Sequence, residues 1–115
     1  MAFAKVSKPK PDPYITITTR TEGGNAIMLP AHTRDLIGDP VAVFFEWDPD
    51  DSLLRIVASS PADPDSYRVG VRNRIGVKGL LGSLGVEVDK TGPHPVIADG
   101  PLAVIADLSN YRRAA

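Results

Sequence analysis

One order of elements occurs twice along this chain, and that repetition limits the fold more than composition does. Tyr14-Ile-Thr-Ile-Thr-Thr-Arg20 is rich in β-branched residues and is predicted to be a strand. Glu22-Gly-Gly-Asn25 is a turn, because Gly and Asn tolerate positive φ. Ala26–Leu29 is a second, short strand. Pro30 suits a first helical position, Ala31–Ile37 forms two helical turns, and Gly38 stops them. Val41–Trp47 and Leu53–Ala58 form a hairpin around Asp48-Pro-Asp-Asp-Ser52. A Pro- and Asp-rich linker at 59–66 follows, and the order begins again. Tyr67–Val71 is a strand, Arg72-Asn73 a turn, and Ile75–Val77 a short strand. Lys78–Leu84 is helix-like and closed by Gly85, a loop covers 89–93, and Pro95–Ala98 with Leu102–Leu108 make a hairpin. Ile27–Gly38 aligns with Ile75–Gly85, one residue shorter, at a period of about 47 residues. Two copies are too few for a solenoid, so the repeat predicts a pseudo-symmetric pair. The alternative is two ββαββ stretches arising independently in a strand-rich chain.

The predicted domains are a Pro/Lys-rich tail at 1–13, repeat one at 14–58, the linker, repeat two at 67–109 and a loose tail at 110–115. In the first tail, Lys8-Pro-Lys-Pro-Asp-Pro13 carries three alternate prolines, which keep it extended and non-helical. With 115 residues, the two repeats suit one shared core. No cysteine is present, which removes disulfides, thiolate metal sites and a cysteine nucleophile. No apolar run nears the ~20 residues a membrane helix needs. The first residues lack the apolar stretch of a signal peptide, so the expected compartment is the cytoplasm.

Net charge is −1, but the charges are segregated. Eight acids lie within 35–65 against Arg55 alone, whereas Arg68, Arg72, Arg74 and Lys78 occur with no acid between them. A near-neutral total can hide a basic face, and an anionic partner feels the local field.

Ile27-x-Leu-Pro-x-x-x-Arg-x-x-Ile-Gly38, between a strand and a hairpin, resembles the AbrB/MazE/SpoVT domain. The resemblance spans residues 14–109, and the tandem order is similar to that of the MraZ family. It implies a mainly β fold with two short helices: a pseudo-twofold swapped-hairpin β-barrel built from two ββαββ-like repeats. It implies a DNA-binding transcriptional regulator or an antitoxin subunit. The second copy is degenerate: it lacks the Pro and the helix Arg, with Val77 and Leu81 read in their places.

The resemblance assigns DNA contact to Arg34 on the first helix and to Arg20 at the end of the first strand. A guanidinium forks onto phosphate or the guanine O6/N7 edge. The plainer alternatives are ion pairs, of Arg34 with Asp35 or Asp39 and of Arg20 with Glu22. Asp35 itself opposes phosphate. Arg68, Arg72 and Arg74 stand at even steps, so an extended segment projects them from one face, with Lys78 beyond. The bland reading is a solvated charge run. Lys5, Lys8 and Lys10 suit either a phosphate-tracking arm or a solubilising tail. His32 is read as a helix-surface residue and His94 as a loop residue, and neither has ligand-spaced acids, so no metal is expected. Asp48–Ser52 lacks the Gly and bidentate Glu of a calcium loop. The glycines at 76, 79, 82 and 85 lack the Lys-Ser/Thr of a phosphate loop and suit close packing instead.

No catalytic grouping or cofactor loop is present, so an enzyme is not expected and no cofactor is implied. The leading expectation is a small regulator binding double-stranded DNA through Arg20, Arg34, Arg68, Arg72, Arg74 and Lys78. The runner-up is a protein-interaction module on the same fold, antitoxin-like or an adaptor. A capsid-like barrel is third. Self-association and a protein partner are both compatible with these readings; a membrane is not.

Overall fold

Alternation of apolar and polar residues gives each strand two unlike faces, and burying one of them decides the architecture. The computed structural model describes residues 2–7, 12–19, 25–88 and 90–111. Its strands are β1 (Tyr14–Thr18), β2 (Ala26–Met28), β3 (Ala42–Asp48), β4 (Leu53–Ser59), β5 (Tyr67–Arg68), β6 (Arg74–Gly76), β7 (Gly92–Ala98) and β8 (Ala103–Asp107). The helices are α1 (Ala31–Leu36) and α2 (Leu80–Ser83). All the strand pairs are antiparallel, in the order β5-β3-β4-β8-β7-β1-β2-β6. The Gly70 N–H, past β5, donates to the Arg74 carbonyl in β6 at 2.8 Å. The two end strands thus meet and the sheet is a nearly closed barrel.

Exchanging the halves of the chain, β1 to β4 for β5 to β8, leaves this ring of neighbours unchanged. Four pairings join the halves: β1 with β7, β2 with β6, β3 with β5, and β4 with β8. Ile27 faces Ile75 at the middle of β2–β6, and Arg55 faces Ile105 at the middle of β4–β8. The Leu29 N–H donates to the Asn73 carbonyl (3.0 Å), and the Val77 N–H donates to the Asn25 carbonyl (3.2 Å). The same bond is made in both directions. Leu29 therefore corresponds to Val77, which moves Lys78 and Gly82, rather than Val77 and Leu81, opposite Pro30 and Arg34.

Inward residues fill the barrel: Ile15 and Ile17 of β1, Ile27, Leu54 and Ile56, Ile75, Val96, Val104 and Ala106, closed by Leu29, Ile37, Leu81 and Leu108. Fully burying each large aliphatic side chain is worth ~1.5–3 kcal/mol. α1 is fixed to β1 through buried Thr33, whose Oγ1 donates to the Tyr14 carbonyl (2.7 Å) and accepts from the Tyr14 N–H (3.2 Å).

Several elements differ from the sequence expectation. β1 stops at Thr18, and Arg20 lies outside the described residues. β5 is two residues long instead of running to Val71, because the chain turns tightly at Val71–Asn73. α2 is four residues long and starts only after Gly79, which is left-handed at φ 77°. β7 begins at Gly92, so Pro93 and Pro95 lie within a strand. They are tolerated because β8 reaches only Val96–Ala98, leaving that stretch paired on one side. His94 is consequently a strand residue facing Ile15 in the interior rather than a loop residue. Asp63 organises the linker: its carboxylate accepts from the Ser59 hydroxyl and the Asp65 N–H. Of the tail expected at 110–115, residues 112–115 lie outside the described residues, and the Tyr111 carbonyl accepts from the Glu87 N–H at 2.8 Å.

Candidate nucleic-acid interface

The basic run of the second half is built on a turn, not on an extended strand. Arg72 (φ 60°, ψ 31°) and Asn73 (φ 59°) are both left-handed, and the Arg74 N–H donates to the Val71 carbonyl. Two consecutive positive φ values make a primed-type turn, for which Asn is a suitable residue and Arg is not. The even spacing of Arg68, Arg72 and Arg74 therefore does not align them on one strand face. Arg68 leaves β5 opposite Ala42, Arg72 tips the turn, and Arg74 lies in β6 opposite Met28. Arg68, Arg72 and Lys78 are exposed and Arg74 is half-buried.

A left-handed β-carbon costs ~1–2 kcal/mol. Arg72→Gly is thus expected to raise stability by about 0.5–1 kcal/mol, after the greater entropy Gly loses on folding is set against the relief. A urea midpoint that falls for this variant contradicts the strained turn.

Arg34 holds this turn from the other half of the chain. Its Nη1 donates to the Asn73 Oδ1 (2.8 Å), and its Nε donates to the Pro40 carbonyl (3.0 Å) and lies 3.0 Å from an Asp39 carboxylate oxygen. Its side chain is only 20% exposed. Of the two readings of Arg34, the structure shows the plainer one, an ion pair, with Asp39 rather than Asp35 as the partner. The structure does bring Arg34 together with the 72–74 turn, through Asn73. Sequence reasoning missed Asn73 and the choice of Asp39 over Asp35. The available signal was an Asn at a turn position and an acid just past the Gly38 helix stop. Asp35 is exposed on α1.

Among the described residues, ion pairs engage only Arg34 and Arg55, the latter with Glu46 (3.0 Å) and Asp99 (2.8 Å). Asp99 first, then Glu46, raise the Arg55 pKa above its ordinary value. Among the described residues, no ion pair engages Arg68, Arg72, Arg74 or Lys78. Lys5 is exposed, and Lys8 and Lys10, like Arg20, lie outside the described residues.

The histidines are structural in position. His32 is half-buried with its ring 5.2 Å from that of Tyr14. His94 is buried and meets the Tyr111 ring edge-on at 4.9 Å, and neither ring nitrogen has a partner in good hydrogen-bonding geometry among the described residues, the Gly92 backbone lying near it. Burial, opposed in part by the Gly92 backbone, pushes the His94 pKa below its ordinary value. The unfolded chain then takes up a proton near pH 6.5 that the folded chain resists. This contribution to stability is complete above that pH and lost as pH falls below it. Denaturation midpoints measured from pH 8 to 5 should decline, and His94→Gln should flatten the decline between pH 7 and 5. An equal decline in the variant assigns it to other groups.

No described helix is long and apolar enough to cross a membrane. Comparison of the chain with protein-family models, with curated proteins and with solved structures finds no match in any of the three.

Proposed function

We propose that this protein is a small, non-enzymatic regulator that binds double-stranded DNA in the cytoplasm. Its binding surface is the basic turn region of Arg68, Arg72, Arg74 and Lys78. One observation supports the reading: four cations that no ion pair engages among the described residues, carried on the chain from β5 through the turn that Arg34 braces at Asn73 to the residue pair after β6. Phosphate neutralisation would supply most of the affinity, and guanidinium contacts to guanine edges would add sequence preference. Arg34 acts here as a brace, in place of the direct contact that its resemblance to AbrB/MazE/SpoVT domains implies. Arg20 belongs to the same proposed surface by that resemblance alone.

We read the fold as two interlocked swapped-hairpin copies. The support is the ring of strands unchanged by exchange of halves, with Ile27 facing Ile75 and Arg55 facing Ile105. The second reading, a protein-interaction module, is favoured by the consumption of Arg34 by Asp39, Pro40 and Asn73. A salt series of binding to duplex fragments separates the two. Affinity that falls steeply with salt supports the regulator, and no binding at 50 mM salt leaves the interaction module.

A further inference from the structure

β3 has an edge that the described barrel leaves uncovered. The Ala58 N–H donates to the Leu102 carbonyl at 2.8 Å, so even-numbered residues of β4 turn their backbone groups to β8 and odd-numbered ones to β3. By the register, Leu53, Arg55 and Val57 therefore bond Asp48, Glu46 and Phe44. The backbone groups of Val43, Phe45 and Trp47 point the other way, toward β5. β5 is too short to meet them all. It pairs with Ala42 and Val43 only, and the Val69 N–H beyond it reaches the Val41 carbonyl at 2.9 Å. The linker before β5 bonds to itself, from the Asp63 N–H to Ser60 and from the Ser66 N–H to Asp63, and offers β3 no backbone bond. Among the described residues, the N–H and C=O of Phe45 and Trp47 on this edge are thus unpaired.

A row of unpaired backbone groups is a template for another extended chain. The side chains say which kind. Phe45 and Trp47 are half-buried against the core. Glu46 and Asp48 alternate with them on the outer face, and Asp50 and Asp51 are exposed in the hairpin turn that follows. Arg55, the cation next to Glu46, is already held by Glu46 and Asp99. Glu46 and Asp48 also border an outer hollow of about 250 Å³ with Leu53 and Ile105 in its wall. The methylene stems of long basic side chains can lie there with their charges at the two carboxylates. An added strand is therefore matched when it is apolar opposite Phe45 and Trp47 and basic opposite Glu46 and Asp48.

We propose that the β3 edge at Phe45–Trp47 binds a basic, extended segment of a partner protein as an added antiparallel strand. A second copy of β3 does not meet the charge requirement. Antiparallel pairing centred on Glu46 sets one Glu46 opposite the other, and pairing centred on Trp47 sets Glu46 opposite Asp48. Like charges directly opposite are destabilising. Centring on Phe45 needs Val43, which β5 already occupies. The edge uses none of the basic-turn cations, so the proposal stands or falls separately from DNA binding.

The probe is an acetylated, amidated hexapeptide of alternating Lys and Val, and the readout is amide hydrogen exchange of the full-length protein by NMR. In the dilute free protein the Phe45 and Trp47 amides should exchange quickly, while those of Phe44 and Glu46, bonded to β4, are protected. The peptide at millimolar concentration should slow Phe45 and Trp47 severalfold. Methylating its Val amide nitrogens, which face β3, should abolish this, and methylating its Lys amide nitrogens, which face away, should spare it. A peptide of alternating Glu and Val should not bind. Glu46→Lys should weaken binding of the Lys peptide about threefold, the size of an exposed charge pair. The fold survives that change because Arg55 keeps Asp99. Slow exchange at Phe45 and Trp47 in the dilute free protein means that the chain covers its own edge, and slowing with protein concentration alone means that a second copy does. Either result overturns the proposal. So does a peptide that slows neither amide, or equal binding of the two methylated peptides, which leaves charge attraction without an added strand.

Discussion

A fragment ending at residue 60 should not fold as a monomer. It keeps only the β1–β2 and β3–β4 pairs, because β1, β2, β3 and β4 each lose the partner that the second half supplies. Isolated two-stranded hairpins are marginal in water. The fragment also loses Ile75, Val77, Leu81, Val96, Val104 and Leu108 from its core. At ~1.5–3 kcal/mol for each large buried side chain, that loss matches or exceeds the ~5–15 kcal/mol by which a whole domain is stable. Far-ultraviolet circular dichroism of the fragment should show little strand content, or sedimentation should find a dimer that substitutes its own second copy. Adding an equimolar 61–115 fragment should restore the strand signal. A monomeric fragment that unfolds cooperatively is incompatible with interlocked halves.

The second large effect is on DNA. Replacing Arg68, Arg72 and Lys78 by Ala removes three exposed cations. If each meets a phosphate, the slope of log K against log salt should flatten by ~2.7, at about 0.9 per contact on duplex DNA. Stability should hardly change, because exposed side chains away from caps and cores rarely matter by more than ~0.5 kcal/mol. Arg34→Ala should behave in the opposite way. It leaves Asn73 and the Pro40 carbonyl without their donor and should cost about 1–2 kcal/mol of stability. Its salt slope should change by less than one contact. A salt slope unchanged by the triple replacement defeats the assignment of the basic turn to phosphate. A contact to a base edge would appear differently, as ~1–3 kcal/mol lost on the preferred sequence and little on random DNA.

Much of the local structure was legible because the physics behind it is local. β-branched runs, the Gly38 stop and the acidic hairpin turn at 48–52 act within a few residues, whereas Pro30, expected as the first helical residue, precedes α1 with extended backbone (φ −53°, ψ 151°). The returning strand expected at Leu53–Ala58 forms as Leu53–Ser59, with Leu54 and Ile56 buried. The boundaries that were missed were set from elsewhere in the chain. β7 extends back through two prolines because β1 lies alongside to pair with it. β5 is cut short by a left-handed Arg72, a conformation that no Arg-Asn dipeptide signals strongly. Lys78–Leu84 reads as a helix but yields only Leu80–Ser83, since Gly79 breaks the start.

The basic run at 68–78 was visible as charge without acid, because charge is a property of each residue alone. The fate of Arg34 was not visible in that way. Asp35 and Asp39 are both near it in sequence, and only the positive-φ backbone at Gly38 and Asp39 turns the second carboxylate onto the guanidinium. Its other partner, Asn73, is 39 residues away. The order of strands and short helices and the separation of charge could be read from the residues alone, since each depends on neighbouring residues. The four cross-pairings between the halves, and the pairing of Arg34 with Asp39 and Asn73, came from the packed fold. Those outcomes depend chiefly on distances between residues that the chain order keeps far apart.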